Sequence, residues 1–155
     1  VKPVKLVIDA SVLLKAYFPE EDSHRQAQIL LGDHAWGSLE LAAPPLLRYE
    51  ITNTCLVASR RGRLSSAKAR EVAREMLAVI DLMVIEEPPF EEVLILSEKF
   101  GTSGYDGAYL ALAGKFKIPL VTGDKRLYKA ARGSPLCKTI WIGDYRSPYQ
   151  AKAKK

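Results

Sequence analysis

Apolar residues fall into two kinds of run along this chain. Lys5–Ile8, Leu41–Ala43, Leu82–Ile85, Leu120–Thr122 and Thr139–Ile142 are short, rich in Val, Ile and Leu, and predict buried strands. Between them, apolar residues recur at helical spacing. Ser11–Phe18 reads as a helix interrupted by Pro19, and Glu20-Glu21-Asp22 opens a second that reaches Leu31 and stops at Gly32. Pro44-Pro45 leads into a long helix, Leu46–Arg61, with one stripe of Leu47, Ile51, Thr54 and Ala58 and another of Leu46, Tyr49, Asn53, Leu56 and Arg60. Gly62 stops it, and Ser65-Ser66 starts a helix to Ile80 whose stripe is Val72, Met76, Val79 and Ile80. Phe90–Phe100 follows a turn at Glu86–Pro89 and predicts Val93, Leu94, Leu96 and Ser97 inward.

The next helix is capped by Ser103 and carries Tyr105, Tyr109, Leu112 and Phe116 on its apolar face, with the thin residues Ala108, Ala111 and Ala113 beside them. Pro119 ends that pattern, and a short helix, Lys125–Arg132, follows the fourth strand. Strands alternate with helices throughout. The fold class expected is therefore α/β with a mainly parallel sheet.

Composition changes this picture little. A chain of 155 residues, 48% hydrophobic and 26% charged, suits one globular domain with a core of ordinary size. No apolar run approaches the length of a membrane span, and the N-terminus lacks a secretory hydrophobic region. Cys55 and Cys137 form no disulfide framework, so a cytoplasmic, reducing location is expected. The net charge of +5 permits a polyanionic partner without requiring one. Basic residues cluster at Arg60, Arg61 and Arg63, at Lys125, Arg126, Lys129 and Arg132, and in a short basic tail over residues 149–155 that is expected to be disordered.

The candidate chemistry is acidic. Asp9 and Asp124 each follow a predicted strand, and Asp106 lies in the first turn of a helix. Parallel sheets bind ligands at the carboxyl ends of their strands. Glu50 sits in the second turn after Pro44-Pro45, near the same rim. Each acid also has a plain explanation: Asp is favoured at helix starts as a cap or dipole partner, and a helical Glu is commonly solvated. Four carboxylates on one rim, however, repel one another and push their pKa values up. A hard divalent cation, Mg²⁺ or Mn²⁺, relieves that repulsion and prefers carboxylate and water oxygens.

Asn53, one turn after Glu50, reads equally well as a site hydrogen-bonder or as helix surface; Arg60 and Arg61 read first as a solvated helix end and only second as a nucleic-acid contact. His24 and His34 have no metal-like spacing and read as surface residues. A phosphatase of the haloacid dehalogenase type needs a second Asp two residues after Asp9, where Ser11 stands.

The segments Leu6-Val7-Ile8-Asp9-Ala10-Ser11, Tyr49-Glu50-Ile51, Tyr105–Ala113 and Val121–Leu127 resemble the PIN-domain nucleases, and within them the VapC toxins of toxin–antitoxin pairs. The resemblance runs in order through nearly the whole chain; the segments around Asp106 and Thr122–Asp124 are its specific parts. Gly107 departs from it, since a larger residue is commoner there. The resemblance implies a three-layer α/β/α domain over residues 1–148, with Asp9, Glu50, Asp106 and Asp124 as catalytic metal ligands and Ser11 and Thr122 as supporting polar groups.

It further implies a Mg²⁺- or Mn²⁺-dependent endoribonuclease that leaves 5′-phosphate and 3′-hydroxyl ends, RNA as substrate, and a VapB-like antitoxin as partner. Lys125, Arg126, Arg60 and Arg61 are the candidate RNA contacts, and a homodimer is expected. A PIN nuclease of RNA processing and a non-catalytic scaffold are the alternatives. The scaffold predicts loss of acids, yet all four are present.

Overall fold

The computed structural model describes residues 3–149. Five strands form one sheet in the order β3-β2-β1-β4-β5: β1 (Val4–Ile8), β2 (Leu39–Ala43), β3 (Val84–Ile85), β4 (Leu120–Thr122) and β5 (Thr139–Trp141). All four pairings are parallel, so the sheet is wholly rather than mainly parallel. Helices α1 (Ala10–Tyr17), α2 (His24–Ala35), α3 (Leu46–Arg60), α4 (Ser66–Ile80), α5 (Phe90–Phe100), α6 (Gly104–Phe116) and α7 (Lys125–Ala131) connect them. A 3₁₀ turn, Ile142–Asp144, takes over where a longer last strand was expected. Among the described residues no helix is long and apolar enough to cross a membrane. The tail expected from residue 149 lies outside the described residues apart from Tyr149.

A parallel sheet is buried on both faces, so its central strands must be continuously apolar. Leu6, Val7 and Ile8 of β1 and Leu120 and Val121 of β4 meet that demand, each at most 4% exposed. β1 and β4 are neighbours, with Val7 opposite Leu120 and Ile8 opposite Val121. Their carboxyl ends therefore lie side by side, and the residues that follow, Asp9 and Gly123-Asp124, share one rim. β2 flanks β1 on the other side and delivers α3 to the same end.

Several local expectations change in the tertiary structure. The second helix starts at His24, not Glu20, because Ser23 takes a left-handed conformation (φ 59°) that a continuous helix excludes. Glu20 and Glu21 pair instead with Arg63. Gly32 does not stop this helix. It lies inside it, its carbonyl accepting from Trp36, and Gly37 (φ 74°) makes the turn. Strand β3 shrinks to Val84–Ile85 at the sheet edge, whereas β2 begins earlier, at Leu39.

Leu94 is 61% exposed rather than inward, since α5 meets the core through Leu96 and Ser97, which are buried, and through Val93 and Phe100, which are half-buried. On α3 the buried stripe is Leu47, Ile51, Cys55 and Ala58, while Tyr49, Asn53, Leu56 and Arg60 face outward.

Helix α6 differs most. The expected face began at Tyr105, which is 67% exposed, whereas Tyr109, Leu110, Ala111, Leu112 and Ala113 are all buried. Consecutive burial means that this helix is enclosed rather than one-sided. Gly107 lets it approach α5: a Cβ there would land on Ser97 Oγ and lie 2.9 Å from the Val93 carbonyl oxygen. The Ser97 hydroxyl occupies the space, donating to the Val93 carbonyl at 2.6 Å.

Candidate active site

Asp9 follows β1 and caps α1, its Oδ1 accepting from the Ser11 amide at 3.0 Å and from the Ser11 hydroxyl. Thr122, at the end of β4, donates its hydroxyl to Asp9 Oδ2. The two hydroxyls are themselves tied into the β4–α7 turn: the Gly123 amide donates to Ser11 Oγ at 2.7 Å, and the Asp124 amide to Thr122 Oγ1 at 3.0 Å. Adjacent parallel strands thus bring together residues 113 positions apart, and both oxygens of one carboxylate are held. Asp9 is 6% exposed, and burial pushes its carboxyl from 3.8 to about 6 against the opposing pull of Ser11 and Thr122; Asp124 and Glu50 add repulsion.

Asp124 caps α7, and its Oδ1 accepts from the amides of Arg126 (2.8 Å) and Leu127 (3.2 Å). The plain cap reading is therefore correct for Asp124, but it occupies one oxygen and leaves the carboxylate half-buried at the rim. Asp106 is likewise in the first turn of α6, behind the Ser103 cap, whose Oγ accepts from the Asp106 amide at 3.1 Å. Partial burial raises the Asp106 carboxyl and Asp124 raises it further, while the Ser103 hydrogen bond and then Arg126 act against both.

Glu50 is only partly solvated. Tyr109 of α6 donates its hydroxyl to Glu50 Oε1 at 2.6 Å. Desolvation raises the Glu50 carboxyl, the Tyr109 bond offsets part of that, and Asp106 adds repulsion. Burial and the Glu50 charge drive the Tyr109 phenol far above its ordinary value, so it remains a donor. Sequence reasoning placed Tyr109 among apolar positions and missed this contact. The available signal was a Tyr, one turn after Asp106, in a helix otherwise lined with Leu and Ala.

The four acids thus sense one another in sequence: Asp9 with Asp124 and Glu50, Glu50 with Asp106, and Asp106 with Asp124. The other candidates are peripheral. Lys125 and Arg126 are exposed on α7 beside Asp124, while Asn53, Arg60 and Arg61 are exposed along and after the outer face of α3. Arg61 and Asn53 line a cleft of about 300 Å³ between α1 and α3. His24 and His34 are not plain surface residues: each ring Nδ1 bonds a backbone carbonyl, of Lys15 at 2.7 Å and of Leu39 at 2.8 Å. They brace α2.

A parallel sheet with carboxylates gathered at the carboxyl ends of its central strands marks an α/β protein whose chemistry lies at that rim. A PIN-domain family model matches residues 6–133, and the chain belongs to the PIN-domain family. Within that family it is similar to the VapC proteins. Ribonuclease VapC3 of Pyrobaculum aerophilum is 33% identical over 128 residues, covering 80% of this chain and 92% of that protein. Exonuclease VapC9 of the same organism is 29% identical over 142 residues, covering 90% and 96%. The crystal structure of PAE2754, also from Pyrobaculum aerophilum, superposes with a TM-score of 0.66 at 24% identity, covering 90% and 92% of the two chains, and shares the fold.

Proposed function

We propose that this protein is a divalent-metal-dependent endoribonuclease and the toxin of a toxin–antitoxin pair, with Asp9, Glu50, Asp106 and Asp124 as its metal-binding acids. The observation that carries this reading is the string of carboxylates at the rim, three of them with pKa raised first by burial and then by one another. A fold does not keep such repulsion without a compensating cation or a use for it.

The donor set fits Mg²⁺ or Mn²⁺, being all hard oxygen. Among the described residues no three His, Cys, Asp or Glu side chains stand close enough to enclose an ion by themselves. Mg²⁺ does not require that, because it keeps several waters and takes one or two carboxylates directly. When bound, such an ion supplies Lewis-acid stabilisation of the phosphodiester and lowers the pKa of water.

The chain's own groups do the rest. Ser11 and Thr122 hold Asp9 in one orientation, and Tyr109 does the same for Glu50. Asp124 is fixed through Oδ1 as the α7 cap. Lys125 and Arg126, exposed beside it, attract the RNA backbone to a rim whose carboxylates repel it. Hydrolysis adds water to phosphorus and breaks the P–O3′ bond, leaving a 5′-phosphate and a 3′-hydroxyl. No side chain becomes covalently attached.

The acidic rim also suits an inhibitor carrying Arg, whose guanidinium would pair with the carboxylates and compete with the metal. A VapB-like antitoxin is the partner this predicts. The test is incubation of end-labelled and internally labelled RNA with the protein in Mg²⁺ or EDTA. Internal fragments at early times, lost in EDTA and with Asp106→Asn, support the reading. Mononucleotides released only from an end would replace it with an exonuclease, and uncut RNA in Mg²⁺ would overturn it.

A further inference from the structure

Lys15 is a cation in an unexpected place. It lies on α1 one turn after Ser11, and its side chain is 7% exposed. Lys is rarely buried unless its charge is paired. Here the partner is not one of the rim acids: Nζ meets Asp22 Oδ1 at 2.5 Å, in the turn before α2, and stands 5.7 Å from the centroid of the Trp141 ring. Asp22 is 58% exposed, so solvent screens the attraction, and the pair serves chiefly to fix where the Lys15 stem ends. The informative part is the path of the stem between the two ends.

That path crosses Gly123. A Cβ at Gly123 would fall on the Lys15 stem, 2.7 Å from Cδ and closer still to Cε, and 3.2 Å from Ile142 Cγ2. Gly123 does not have a positive φ, so the absent side chain serves space rather than backbone freedom. Its amide donates to Ser11 Oγ, its predecessor Thr122 holds Asp9, and its successor is Asp124. The Lys15 methylenes therefore press on the single residue that joins the support of Asp9 to Asp124.

We propose that Lys15 is a positioning residue: its stem, anchored at the far end by Asp22, clamps the Thr122-Gly123-Asp124 turn against α1 and sets Asp124 relative to Asp9. Because the ammonium is taken up by Asp22, the clamp adds no cation that would compete with a metal at the rim. The consequence for metal affinity rests on the reading of Asp9 and Asp124 as ligands; the clamping of the turn does not.

The test uses the full chain with Lys15→Ala, which removes stem and charge, and Lys15→Met, which keeps most of the stem. Hydrogen exchange at the Gly123 amide is followed by NMR, and Mn²⁺ affinity by calorimetry. Lys15→Ala should speed Gly123 exchange at least tenfold, with the amides of Leu6 and Leu41 unchanged, and weaken Mn²⁺ binding at least tenfold. Lys15→Met keeps the stem without the Asp22 anchor and should restore part of both, which a role for the charge alone would not allow.

A second measurement covers a variant that folds poorly: Gly123→Ala should lower Tm clearly in the wild type and less when combined with Lys15→Ala, since the space is then free. Gly123 exchange unchanged in Lys15→Ala, or equal Tm losses for Gly123→Ala in both backgrounds, would overturn the clamp. If the wild type binds no Mn²⁺ while the exchange and Tm results hold, the metal reading fails and the clamp stands.

Discussion

Exchanging Asp9 for Asn removes one charge from a site that is 6% exposed while keeping the shape of the side chain. In the folded, metal-free protein the Asp9 carboxyl is raised from 3.8 to about 6, mainly by burial. An acid whose folded pKa is raised contributes fully to stability below its unfolded pKa, where it is protonated in both states. Between 3.8 and about 6 the unfolded chain ionises first, so stability falls as pH rises, and the loss is complete above about 6. At about 1.4 kcal/mol per pKa unit, a rise of roughly 2 units amounts to a loss of about 3 kcal/mol.

Asn does not titrate and escapes that loss. Its amide nitrogen cannot accept from Thr122, which costs about 1 kcal/mol at every pH. At pH 4.5 the wild type has already lost about 1 kcal/mol, so Asp9→Asn should be about as stable as the wild type there and more stable by about 2 kcal/mol at pH 8. Urea unfolding in EDTA, followed by the fluorescence of Trp36 and Trp141, reads this directly. Adding Mn²⁺ should reverse the order at pH 8, since a ligand that binds only the native state stabilises it. A stability difference that stays constant from pH 4.5 to 8 would refute the reasoning.

Three other outcomes follow from the same contacts. Tyr109→Phe deletes the 2.6 Å bond to Glu50, and bonds to charged groups contribute about 1.5–3 kcal/mol; RNA cleavage should fall about tenfold or more, and an unchanged kcat/KM would show that Glu50 needs no such support. Gly107→Ala places a methyl on Ser97 Oγ and should cost about 1–3 kcal/mol of stability by overpacking, only part of it recovered by adding Ser97→Ala because the Val93 carbonyl remains 2.9 Å away, as a thermal-unfolding series would show. Mg²⁺ or Mn²⁺ should raise the Tm of the wild type and raise that of Asp106→Asn much less; equal rises in the two would separate metal binding from the rim acids.

The pattern of short apolar runs and helical stripes determined the α/β class, because a strand buried on both faces must be continuously apolar and a helix on a sheet must carry a stripe. It also determined which acids stand at strand ends and helix starts, since Asp9, Asp106 and Asp124 sit in cap or first-turn positions set by residues within three of them. What lies farther off was decided only by tertiary packing. Ser23 turning left-handed moved the start of α2, and nothing in Glu20-Glu21-Asp22 announces that these acids pair with Arg63 and Lys15.

Tyr109 meets Glu50 across 59 residues, and Thr122 meets Asp9 across 113. Neither contact is visible in spacing along the chain, because each depends on which strands are neighbours and on how closely α6 approaches the sheet. Leu94 and Tyr105 point outward for the same reason. Periodicity says that a helix has an apolar side, but only the volume left by α5, α6 and the sheet decides which residues occupy it.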